Sequence, residues 1–242
     1  MSESQDASRS QTLDAVEKVR DFPWEYPIPD NRFWADIPLA PARTFLQSFS
    51  AEELAELPID PDSTLEVDPK LELLLTLLRE QLARKEADSA PDSLYDADYT
   101  TWEKIHMGVF SSQRTLRDND AAEVTVRVLI DGRKDKSNLS LLQSLDFILM
   151  DRGKYEEVEE TEPKIIEWLN GRLGNDSPQA LGSRRMLAEA RWYLGKEQQA
   201  DELLDETKKL AESITDGQYA KYRDVEVEAV VKLAHKLHGI EA

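Results

Sequence analysis

The sequence contains no cysteine. Disulfide scaffolding, thiolate catalysis and cysteine-ligated zinc are therefore excluded. Histidine is nearly as scarce, with three residues, and only nine of 242 positions are glycine. So little glycine disfavours a turn-rich all-β fold. No apolar run approaches the roughly 20 residues that cross a bilayer as a helix. The amino terminus, MSESQDASRSQTLD, lacks the basic and apolar regions of a secretory signal. Basic residues are too few to balance the acidic ones: 30 Lys and Arg stand against 49 Asp and Glu, a formal charge of -19. Such a surface repels phosphate backbones and anionic headgroups, so nucleic acid and membrane are poor partners and a basic peptide or protein face is a better one. Together these absences give the expectation of an intracellular, cytoplasmic protein, in which the sequons at Asn138 and Asn175 are accidental.

What the sequence does contain falls into two halves. Nine of the eleven prolines lie between Pro23 and Pro91. Residues 1–20 are polar. Residues 21–67 form a Pro- and aromatic-rich stretch with a short helix, and residues 68–242 read as a helical domain. Within DFPWEYPIPDNRFWADIPLAP, proline removes backbone donors and pushes the preceding residue toward extended geometry. Phe22, Trp24, Tyr26, Phe33 and Trp34 are costly to leave in water, so this segment is expected to lie extended across an apolar surface. Trp24 and Trp34 are accordingly candidate binding residues, should the segment dock on another protein.

Helical signals begin near Pro41. Ser50 and Glu53 have capping-box spacing, and Asp68-Pro69 suits an N-cap followed by Pro at the first helical position. Leu71, Leu74, Leu75, Leu78 and Leu82 share one helical face. A further helix is expected from about Asp98 to Arg117, with Trp102, Ile105, Val109 and Leu116 inward. AEVTVRVLIDGR alternates Val124, Val126, Val128 and Ile130 in the manner of a strand. A lone strand has nothing to pair with, and the repeat described next assigns it to helix.

Gly153-Lys154 and Gly195-Lys196 are 42 residues apart. Aligning them pairs Leu145 with Leu187 and Val158 with Ala200. Each glycine follows an apolar helix and precedes an amphipathic one, so the unit is helix, tight turn, helix. Glycine suits the left-handed turn position, and a small residue five positions on allows close helix approach. Moving back 34 residues from Gly153 reaches Asn119, another residue tolerant of left-handed geometry, with Val124 five positions further. Turns at Asn119, Gly153 and Gly195 give an array of helical hairpins. Asp176 or Ser177, with Pro178, starts one helix. TDGQYAKYRDVEVEAVVKLAHKLHG reads as a closing helix, with Thr215 and Gln218 as its capping box, Gly239 as its C-cap, and Val227, Val230, Val231 and Ala234 inward.

GKYEEVEETEPKIIEWLNGRLGNDSPQALGSRRMLAEARWYLGKEQQADELL resembles the tetratricopeptide repeat, in the 42-residue variant found in kinesin light chains and many fungal proteins. The residues that carry this are Gly153, Lys154, Tyr155, Glu156, Glu157 and Glu159, then Leu173-Gly174, Pro178, Leu181, Leu187, Ala188 and Gly195. Val158 stands where the family has Ala, Glu197 where it has an aromatic residue, and the hairpin near Asn119 matches poorly. The likeness is clearest over residues 139–212. It implies an all-α fold: a short right-handed array of antiparallel helical hairpins whose inner helices line a concave groove.

The function expected from that resemblance is a non-catalytic protein-interaction adaptor. Arg184 and Arg185, which open an inner helix, are candidates to anchor an acidic group of a ligand. The family's clamp for acidic chaperone tails needs Lys and Asn on successive inner helices. LLQSLDFILM offers neither, which excludes that ligand. His235, His238 and Glu241 have spacing for a metal but also suit a helix C-terminus, and His106 stands alone. No catalytic residue, cofactor or metal ligand is assigned. The alternatives are an all-helical enzyme with a cavity near the aromatic segment, and a permanent subunit of a larger assembly.

Overall fold

The computed structural model describes residues 28–240. Among them there is no strand, and no helix is long and apolar enough to cross a membrane. The chain forms two compact units, residues 1–133 and 134–242.

In the first unit the described helices are α1 (Leu39–Leu46), α2 (Ala51–Glu56), α3 (Val67–Ser89), α4 (Leu94–Ala97), α5 (Tyr99–Thr115) and α6 (Asn119–Gly132). Helix α5 is central and packs against α1, α3, α4 and α6. The Leu71, Leu74 and Leu78 stripe is fully buried, with Leu75 and Leu77 nearly so. Ser50 and Glu53 form the capping box of α2. Helix α3 starts at Val67 with Glu66 as N-cap, which places Pro69 inside its first turn rather than at its first position. The alternating valines lie in α6, a helix, as the repeat requires.

The described part of the aromatic segment is not extended. Residues 31–36 turn. The Asn31 carboxamide oxygen accepts from the Phe33 and Trp34 amides, and the Ala35 amide donates to the Asn31 carbonyl. A side-chain acceptor at Asn31 thus outweighs the extended bias of the flanking prolines. Phe33 (0% exposed), Trp34 (6%) and Ile37 (6%) enter the core of this unit. Buried Lys70 pins the turn by donating to the Arg32 carbonyl at 3.0 Å. Phe22, Trp24 and Tyr26 lie outside the described residues.

The second unit contains α7 (Ser140–Asp151), α8 (Tyr155–Leu173), α9 (Pro178–Tyr193), α10 (Glu197–Glu212) and α11 (Arg223–His238), the last preceded by a 3-10 turn at Ala220–Tyr222. Helices α7 and α8 pair, α8 packs on α9, α9 pairs with α10, and α11 packs on α9 and α10. Ser177 caps α9 by accepting from the Ala180 amide, with Pro178 at the first position. The capping box expected at Thr215 and Gln218 does not form. Because the 3-10 turn carries the chain into α11, that helix begins later, without a side-chain cap.

The turns share one hydrogen-bond pattern. The amide of each left-handed residue donates to the carbonyl three residues back, and the next amide reaches five back. This holds for Gly153 with Lys154, Gly195 with Lys196 and Gly239 with Ile240. It also holds for Arg117 with Asp118. These paired bonds satisfy carbonyls that a helix end leaves open. Here the expected turn residue needs correction. The left-handed position before α6 is Arg117 (φ 60°), whereas Asn119 is already the first residue of α6. The pattern selects Arg117 because α5 runs on to Thr115 and the Asp118 side chain caps α6. The close-approach position moves with it. Ala122, Val158 and Ala200 each lie five residues after a turn and are 0% exposed, while Val124 is 66% exposed.

Candidate functional site

The first helices of the hairpins in the second unit, α7 and α9, together with α11 enclose a groove of about 730 Å³. That lies within the range of roughly 300–1,000 Å³ usual for ligand sites. Helix α7 contributes Gln143, Phe147, Met150 and Asp151. Helix α9 contributes Pro178, Gln179, Gly182, Arg185, Met186 and Glu189. Ala229 and Leu233 come from α11. Phe147 is the exposed aromatic of this wall, at 48%. Met150 and Met186 beside it are side chains that adapt their shape to a neighbour.

Gly182 sits in the interior of α9, where glycine costs about 1 kcal/mol relative to alanine. No packing among the described residues requires it. An added Cβ would meet only the tip of Arg185, at 3.7 Å. Gly182 lines the groove, partly buried, with no side chain to fill the space there.

The ionic groups of the groove are paired. Arg185 donates to Glu226. Lys236 donates to Glu189 at 2.7 Å, a hydrogen bond that holds the Lys236 ammonium above its ordinary pKa despite partial burial. Adjacent arginines therefore have different places. Arg185 faces the groove. Arg184 is 7% exposed, and burial pushes its pKa down. It donates to the Asn175 and Ala180 carbonyls and to the Asn170 carboxamide, each at 3.2 Å, so it holds the loop before α9.

The other singled-out residues lie elsewhere. Trp34 packs edge-on against Phe33 (5.1 Å between centroids) and lies 5.7 Å from Phe45, so a ligand would have to displace it from the core. Trp24 is outside the described residues. His106 is half-buried against Trp102, with its Nδ1 2.8 Å from the Trp102 carbonyl oxygen, and burial lowers its pKa. His238 contacts Asp201 at 2.9 Å and the Trp192 ring. No cluster of three metal-ligating side chains occurs among the described residues, and Glu241 lies outside them.

Sequence reasoning passed over Phe147, Met150, Met186 and Leu233, which read as ordinary apolar helix residues. The one local signal is Gly182, a helix-interior glycine one turn before Met186. No protein-family model, curated protein or solved structure matches this chain.

Proposed function

We propose that residues 134–242 form an interaction module of the tetratricopeptide type, whose groove holds a segment of a partner protein carrying apolar and basic side chains. The observation that carries this reading is the groove wall: the leading helices of successive hairpins line it, and Gly182, interior to α9, lines it without a side chain. Aromatic, methionine and leucine side chains give the apolar contacts. The overall charge of -19 favours a basic ligand. The pairing of Arg185, Glu189 and Lys236 with fixed neighbours suits holding a ligand rather than transferring protons. Arg185 then serves as a wall residue, and an acidic anchor is a lesser part of the reading.

A displayed random-peptide library selected on the intact protein tests it. Selected peptides are expected to combine Lys or Arg with large apolar residues, to bind more weakly as salt rises, and to lose binding to Gly182→Leu, which puts a side chain into the groove. Peptides that bind Gly182→Leu undiminished would place the binding surface elsewhere.

A further inference from the structure

Behind the groove wall lies a buried acid pair that the repeat geometry does not require. Counting from the turn residues Arg117, Gly153 and Gly195, the position nine residues later is Val126, Glu162 and Leu204. Their exposures are 0%, 0% and 3%. The position seven residues before each turn is Phe110, Asp146 and Ala188, at 7%, 0% and 0%. Two core positions that neighbouring hairpins fill with apolar side chains thus both hold carboxyls in the α7–α8 hairpin. Neither carboxyl oxygen of Glu162 has a hydrogen-bond partner. The Thr161 hydroxyl lies 2.6 Å from Asp146 Oδ2.

Among the described residues, the groups that bear on Glu162 include no cation. From α7 the charged group bearing on it is Asp146, and from α9 it faces the uncharged Ser183 hydroxyl. On α8 itself, Glu159 engages Lys196 and Arg191. Ser183 accepts from the Gln143 carboxamide at 3.1 Å, and Gln143 lines the groove. Pro163, next to Glu162, lacks the amide that would donate to the Glu159 carbonyl, so α8 is already short of one backbone bond there.

We propose that Glu162 and Asp146 form a proton-operated latch behind the groove wall: α7, α8 and α9 stay closed while the pair holds a proton, and α7 loosens from its neighbours when both carboxyls are charged. The groove would then widen through the Gln143–Ser183 contact. Burial first, and the Asp146 charge second, push the Glu162 carboxyl up to about 8. The nearby Ser183 hydroxyl opposes this without completing a hydrogen bond. In the open state the carboxyl returns toward its ordinary 4.5. Between these values the closed state holds a proton that the open state has released. The closed state therefore loses stability as pH rises through that window and levels off above it.

Hydrogen exchange of the full chain, without any ligand, tests the latch independently of what the groove binds. After correction for intrinsic rates, the opening equilibrium of residues 141–151 should rise about tenfold per pH unit from about pH 6.5 to about pH 8, then level off. Amides of α3 and α5 should show no such step. Glu162→Gln should remove the pH dependence, and Asp146→Asn should move the plateau to lower pH. Equal pH profiles for wild type and Glu162→Gln would overturn the latch. Should Glu162→Gln fail to fold, an unmoved plateau in Asp146→Asn would overturn it.

Discussion

Exchanging residue types at two equivalent turns should change stability in opposite directions. Gly195 and Arg117 occupy the same left-handed position, at φ 73° and φ 60°. Left-handed geometry costs an L-residue about 1–2 kcal/mol. For Gly195→Ala no steric term is added, because a Cβ there meets nothing within 4 Å. The smaller freedom of alanine in the unfolded chain returns about 0.4–1 kcal/mol. The net expectation is a loss of about 1 kcal/mol. For Arg117→Gly both terms reverse, and the side chain given up is exposed. The expectation is a gain of up to about 1 kcal/mol. Urea denaturation followed by circular dichroism measures both, with an unchanged m-value required for the comparison. Fitting the transition of each unit separately keeps the two substitutions from being confused. If Gly195→Ala matches wild type, or Arg117→Gly is destabilising, the equivalence of these turns is wrong.

Other substitutions probe packing and binding. Leu187 is 4% exposed, so Leu187→Asp buries an unpaired charge and should lower stability by more than about 3 kcal/mol, read as the melting temperature of the second unit. Gly132→Ala should cost about 1–3 kcal/mol, since its Cβ would lie 2.3 Å from the Trp102 ring; near-ultraviolet circular dichroism should report the displaced indole. Ser177→Ala removes the cap of α9 and should cost about 1 kcal/mol in denaturant titration. A basic peptide selected for the groove should associate more slowly as salt rises, with a smaller change in dissociation rate, by stopped-flow fluorescence.

Local chemistry made part of the array legible. Gly153 and Gly195 announce left-handed turns because other residue types are strained there, and Ser50 and Ser177 announce helix starts because their hydroxyls satisfy nearby amides. These signals span a few residues, so the sequence carries them whole. Arg117 carries no such signal. It is forced into the left-handed region by the end of α5 and the cap of α6, while the 34-residue spacing falls two positions later, on Asn119, whose tolerance of left-handed geometry goes unused. The valines of α6 show the same limit in another form. Their alternation suits a strand, but Ala122, Val126 and Leu129 form the buried helical face.

The sequence by itself determined helix, hairpin and turn, because each depends on backbone preference and on apolar spacing within one or two helices. Tertiary packing decided which side of each helix sees water. Arg184 and Arg185 are neighbours in sequence, yet a helix turns about 100° between them, so one holds a loop and the other faces the groove. Glu162 lies within EEVEETE, where every carboxylate reads as a solvated charge. Only the packing of α7 and α9 against α8 closes that one position from water and sets Asp146 beside it, which turns an ordinary glutamate into a buried acid.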